Sequence, residues 1–152
     1  MKLDRLDKKI LTLMQKDARI SNLDLAEQVG LSPSPCSRRI KALEESGTIT
    51  GYKARLDPRH LGFNFSAIVF VTLREGDRKA VEAFENSVVQ IPEVIQAQRL
   101  FGDPDYFLYV VTHDLIAFQK LYDEQLSSLP SVLRLTSTLV MKDVVQDRIF
   151  PL

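Results

Sequence analysis

The residues best suited to chemistry are concentrated in LSPSPCSRRIKALEESG, residues 31–47, where two Ser-Pro steps run into two arginines and a lysine. At about 100° per residue, a helix here puts Ser34, Arg38, Lys41 and Glu45 on one side. Cys36, Ile40 and Leu43 fall opposite, and Ser37 and Arg39 lie on the flanks. The N-terminal half of the outward face is therefore hydroxyl, guanidinium and ammonium. Those groups read base edges in the major groove of DNA and hold phosphate, and helix N-terminal N–H groups add to the phosphate site. Ser32 and Ser34 are capping residue types, and the proline after each fits the first helical position and stiffens that end. The candidate DNA-contacting residues are Ser32, Ser34, Pro35, Ser37, Arg38, Arg39 and Lys41.

Other chemistries find no support. A nucleophile elbow of the form G-x-S-x-G and a phosphate loop of the form G-x-x-x-x-G-K are both missing, so an enzyme is not expected. Cys36 is the single cysteine and His60 and His113 are the two histidines, which excludes a disulfide framework and a metal-ligand cluster. No cofactor is expected, and Cys36 reads as a small buried hydrophobe. The 152 residues are 45% hydrophobic and 26% charged, an ordinary globular mixture of one domain or two small ones. No run approaches the roughly 18 apolar residues of a membrane span, and MKLDRLDKK lacks the apolar core of a signal peptide. The expectation is a cytoplasmic, nucleoid-associated chain with no membrane partner. Net charge is zero, yet the first sixty residues hold twelve Lys+Arg against eight Asp+Glu, leaving eight against twelve in the remainder. That asymmetry fits a basic module for an acidic partner joined to a module with another task.

The elements that must position these residues follow from periodicity. Leu3, Leu6, Ile10 and Leu13 recur at helical spacing. A second helix, LDLAEQV, has Ser21 or Asn22 as cap and Gly30 as its stop, and the third helix ends at Gly47. Two helices joined by a short glycine turn, with the first helix behind them, form a helix-turn-helix. TITGYKARLD then reads as a strand or hairpin in the position of a wing.

Beyond residue 63 the period changes to two. In NFSAIVFVTLRE, Phe65, Ala67, Val69, Val71 and Leu73 face one way and Ile68 and Phe70 the other. Val81, Phe84 and Val88 stripe a helix closed by Pro92. EVIQAQRLF, the turn GDPD and YFLYVVT form a hairpin. A helix capped by Asp114 carries Leu115, Phe118, Tyr122 and Leu126. SVLRLTSTLVM is a fourth strand, and KDVVQDRIF reads as a fifth. The order βαββαβ specifies a ferredoxin-like sandwich with helices on one face of the sheet. The opposite face, carrying Ile68, Phe70, Leu100, Leu108 and Val140, exposes too much apolar surface for a monomer, so sheet-to-sheet dimerisation is expected. The fold class is α+β, divided into a helix-turn-helix domain over 1–50, a wing or linker strand over 51–63 and the sandwich over 64–152.

This order, with SPSPCSRRIKALEESGTITGY in the first half and GDPDYFLYV in the second, resembles the Lrp/AsnC (leucine-responsive, feast-famine) transcription regulators along essentially the whole chain. The resemblance implies double-stranded DNA as a partner, dimers gathered into an octamer of four dimers, and an amino-acid effector bound between dimers. Pro104 departs from the family's loop by stiffening it and removing a donor, so the effector preference of relatives does not carry over. A zwitterionic amino acid needs a carboxylate, backbone N–H groups and hydroxyls. Gly102, Asp103, Asp105 and Tyr106 of FGDPDY, with Thr136, Ser137 and Thr138 placed nearby by the resemblance, are the candidate effector residues, with Asp103 or Asp105 taking the ammonium. GDPD equally fits a tight turn whose aspartates serve only the turn. Two functions remain: an effector-controlled regulator, or an architectural DNA-packaging protein with no effector.

Overall fold

The computed structural model describes residues 2–152. The three expected helices form: α1 is Arg5–Lys16, α2 is Asn22–Val29 and α3 is Pro33–Glu45. Asp4 opens α1 with a reciprocal box, its carboxylate accepting from the Asp7 N–H at 2.8 Å while the Asp7 carboxylate accepts from the Asp4 N–H at 3.0 Å. Ser21, rather than Asn22, caps α2 by accepting from the Asp24 N–H at 3.0 Å. Gly30 ends α2 at φ 79°, a left-handed turn that frees the chain to start α3 three residues later. Ser32 is the N-cap of α3, though its hydroxyl makes no capping bond, and Pro33 takes the first helical position. Ser34, expected as a second cap, lies inside the first turn. Ile10, Leu25, Cys36 and Leu43 are fully buried at the centre of the three helices.

Two expected strands are absent. Residues 48–57 contain no strand, and a single 3₁₀ turn, Pro58–Leu61, follows them; residues 140–152 contain none either. A strand exists only as a member of a ladder, and among the described residues neither segment extends one: Val140 donates to the Ser66 carbonyl at 3.1 Å and the pairing stops there. The chain divides into two compact units, one running to Arg55 and taking in Val144–Leu152, the other Leu56–Asp143. The last residues join the first unit because Gln15 pairs with the Phe150 backbone, accepting from its N–H at 2.7 Å and donating to its carbonyl at 3.4 Å.

The second unit contains β1 (Phe65–Leu73), α4 (Arg78–Val88), β2 (Val94–Arg99), β3 (Tyr106–Thr112), α5 (Leu115–Glu124) and β4 (Val132–Leu139). The sheet is antiparallel in the order β2-β3-β1-β4, the ferredoxin-like arrangement of βαββαβ. Asp77 caps α4 through the Ala80 N–H at 2.8 Å, and Asp114 caps α5 through the Ala117 N–H at 2.7 Å. Val69, Val71, Phe84, Leu108, Val110 and Leu126 form the centre of the core. Helix α5 is shorter than its pattern, because Gln125 leaves helical dihedrals and a 3₁₀ turn, Leu126–Ser128, carries Leu126 into the core instead. Leu115 is 57% exposed, and Leu121 takes the place expected for it.

Leu108 is also misplaced by the sequence reading, since it is fully buried in the core rather than on the bare face. The β1–β3 register explains this. Val69 pairs with Leu108 and Phe70 with Phe107, and cross-strand partners share a face. The face away from the core therefore carries Ile68, Phe70, Phe107 and Tyr109, with the Phe70 and Phe107 rings edge to face at 6.2 Å. Leu100 and Val140 lie just beyond the ends of β2 and β4.

Candidate functional site

Helix α3 separates its cations by angle. Arg38 and Lys41 are exposed, as are Ser32, Ser34 and Ser37 at the same end. Lys41 lies 3.6 Å from Glu45 one turn on, a solvent-screened pair. Arg39 behaves differently. Its Nη1 is 2.7 Å from Asp4 Oδ2 and 2.7 Å from Asp7 Oδ1, so its charge is spent on the start of α1. The two carboxylates raise the Arg39 pKa, while the Asp7 N–H first and the Arg39 guanidinium second hold Asp4 below the ordinary aspartate value. Pro35, with Asp7, Arg38, Arg39 and Ala42, lines a shallow groove along this edge of α3. The N-terminus of α3 is tied to α2 by Asn22 Nδ2, which donates to the Pro33 carbonyl at 3.0 Å. A short basic and hydroxylic helix end is thus exposed on the three-helix unit.

The β2–β3 loop distributes its residues to opposite sides of the sheet. Asp105 is structural: its Oδ2 accepts from the Leu73 N–H at 2.7 Å, its N–H donates to the Val71 carbonyl at 2.9 Å, and its carbonyl receives the Leu100 N–H at 2.7 Å. Tyr106 is buried on the core side, with its ring 4.5 Å from Phe84 and its hydroxyl donating to Glu85 Oε1 at 2.7 Å. Burial first, then the Glu85 carboxylate, pushes its pKa up to about 12. Neither residue points to the bare face.

Asp103 is placed differently. Its Oδ1 is 3.4 Å from Thr72 Oγ1 and 3.9 Å from Arg134 Nη2. Thr72 pairs with Arg134 across β1 and β4, Phe70 with Thr136 and Ile68 with Thr138, so all six share the bare face. Ser137 pairs with Val69 and belongs to the other face. Gly102 has φ 147°, a backbone conformation that glycine adopts freely, and open space lies where a Cβ would point. The structure therefore puts Asp103, Thr136 and Thr138 toward the bare face, with Thr138 two pairs along β4 from the Thr72–Arg134 pair that Asp103 touches, and separates Asp105, Tyr106 and Ser137 from them. Among the described residues no group of three or more His, Cys, Asp or Glu is placed to hold a metal ion.

Comparison with known proteins decides the lineage. The sequence profile for winged helix-turn-helix DNA binding matches residues 3–50, and that of the Lrp/AsnC ligand binding domain matches residues 66–150. The chain belongs to the Lrp/AsnC family. It is 40% identical to the leucine-responsive regulatory protein of Escherichia coli K12 over 144 residues, 95% of this chain and 88% of that one. Among solved structures it is similar to a transcriptional regulator of Neisseria meningitidis in complex with L-Met, with a TM-score of 0.93, 36% identity and coverage of 99% and 97% of the two chains. It is also similar to an AsnC family transcriptional regulator from Agrobacterium tumefaciens, with a TM-score of 0.92, 33% identity and coverage of 98% and 97%. Lrp/AsnC proteins are DNA-binding transcription regulators, not enzymes, and this chain is such a regulator with an effector-binding domain.

In this Lrp/AsnC regulator the sequence reading missed Thr72 and Arg134. The signal was present: Ile68, Phe70 and Thr72 alternate along β1, as Arg134, Thr136 and Thr138 do along β4. Arg39's engagement with Asp4 and Asp7 left no comparable signal, because the partners lie 35 and 32 residues away.

Proposed function

We propose that this regulator reads a specific DNA site with the N-terminal half of α3 and answers to a free amino acid held at the edge of its bare sheet face. The observation that carries the effector reading is the meeting of Asp103, Arg134 and Thr72 within 4.0 Å contacts. A zwitterionic amino acid offers an ammonium for the Asp103 carboxylate and a carboxylate for the Arg134 guanidinium, and Thr72 and Thr136 add hydroxyls. Phe70 and Phe107 supply apolar surface for a side chain. The L-Met complex of the Neisseria meningitidis relative supports the same ligand class. In this reading Asp105 and Tyr106 are scaffold, and Thr138 lies further along the face.

DNA contact falls to Arg38 and Lys41, with Ser32, Ser34, Ser37 and Pro35 shaping the helix end. Copies of the chain associate through Ile68, Phe70, Phe107 and Tyr109, and the dimers assemble further, into an octamer of four dimers, in the cytoplasm on nucleoid DNA. No helix of the described residues is long and apolar enough to cross a membrane. The test is thermal shift with each of the twenty amino acids. A ligand bound only by the folded state adds about 2.7 kcal/mol at a hundred times its Kd. At least one amino acid should raise the melting temperature, and Asp103→Asn and Arg134→Gln should each abolish that rise. A full response in both variants would put the effector site elsewhere.

A further inference from the structure

Two adjacent arginines on a recognition helix invite the same role, and the geometry gives them different ones. Arg38 is exposed, whereas the Arg39 side chain is 32% exposed and bridges Asp4 and Asp7 through one nitrogen, at 2.7 Å to each. Those aspartates are the two members of the capping box that starts α1, so their positions are already fixed by the backbone before Arg39 arrives. Asp7 is buried, with its Oδ2 taken by the Asp4 N–H and its Oδ1 by Arg39. Its charge needs that guanidinium, because a buried carboxylate without a partner is strongly unfavourable. Pro35, Arg38 and Ala42 line the same groove as Asp7 and Arg39, so whatever fixes Arg39 also fixes the face that carries Arg38.

We infer that Arg39 is a positioning residue: through Asp4 and Asp7 it sets the rotation of α3 about its own axis, and so the direction in which Arg38 and Lys41 project, without itself contacting phosphate. The inference rests on α3 being the DNA-reading helix. It also explains why two acidic residues are tolerated beside that helix, since Arg39 neutralises them.

The experiment measures binding of the full chain to a cognate and a scrambled duplex over a salt series, for the wild type, Arg39→Gln, Asp7→Asn, the double variant, Asp4→Asn and Arg38→Ala. A phosphate contact and a strut predict opposite signs. If Arg39 is a strut, Arg39→Gln lowers the cognate-to-scrambled ratio roughly tenfold, about the effect of one mismatched base pair. The slope of log K against log salt stays at its wild-type value, because no phosphate contact is lost. Asp7→Asn also lowers the ratio, although removing an acidic charge should by itself tighten DNA binding. The double variant is then no worse than the poorer single, since both remove one interaction. Asp4→Asn keeps the cap oxygen on an exposed residue, so it carries the test if Arg39→Gln does not fold; it too should lower the ratio. The inference is overturned if Arg39→Gln flattens the salt slope by about one phosphate, if the aspartate variants bind more tightly or unchanged, or if the Arg39 and Asp7 effects add. Unchanged binding by Arg38→Ala together with the Arg39 variants would instead remove α3 from the DNA, overturning the reading beneath it as well.

Discussion

At the residue scale, charge alone does not identify a DNA contact. Arg38, Arg39 and Lys41 look equivalent in the sequence, and only the fold shows that one of them is occupied. Arg38→Ala should cost roughly 1–3 kcal/mol on a cognate site and relax specificity at one base position. Lys41→Ala should weaken binding to every sequence and flatten the salt dependence, as filter-binding titrations over a salt series would register. Its pairing with Glu45 is too exposed to confuse the result through stability. Tyr106 offers a test of a different kind. The folded protein retains its phenol proton up to about pH 12. The unfolded chain releases it near about pH 10, so folding is favoured below that value and the contribution disappears as pH rises through 12. Urea unfolding at stepped alkaline pH should show a stability loss between those values that is reduced in Tyr106→Phe; equal losses in both proteins would count against it. Asp103 and Tyr106 stand alike as candidates in FGDPDY, since the sequence does not say that the loop ends and β3 begins at Tyr106.

At the element scale, the helices were legible because their signals are local. Caps at Ser21, Asp77 and Asp114, apolar spacing of three and four, and a stop at Gly30 are all written within one stretch of chain. The strength of such a cap can be measured. Ser21→Ala removes the acceptor for the Asp24 N–H and should lower the stability of the first unit by about 1 kcal/mol, seen as a lower urea midpoint with unchanged slope. Strands are less legible because their existence depends on a partner. TITGYKARLD and KDVVQDRIF carry β-formers yet join no strand ladder, while RLTSTL, no richer in them, forms β4 because β1 accepts it along its length. The missing information is register, which also moved Leu108 inward and Phe107 outward.

At the scale of the whole molecule, the proposed association through the bare sheet face and the division into two units each carry a consequence. Phe107→Glu places a charge beside Phe70 without touching the core, so it should shift the protein toward monomer in light scattering while its circular dichroism stays that of the wild type. A wild-type chain that is monomeric at micromolar concentration would already defeat that expectation. The bond between Gln15 and the Phe150 backbone joins residues 135 apart in sequence. Closing so long a span in a flexible chain costs about 4 kcal/mol beyond a constant. Folding of Leu56–Asp143 removes most of that freedom in advance. The three helices therefore receive this contact from a segment that lies beyond the whole of Leu56–Asp143 in the chain. Melting the second unit returns the lost entropy to the tether, and the first unit is loosened although none of its own core contacts has changed.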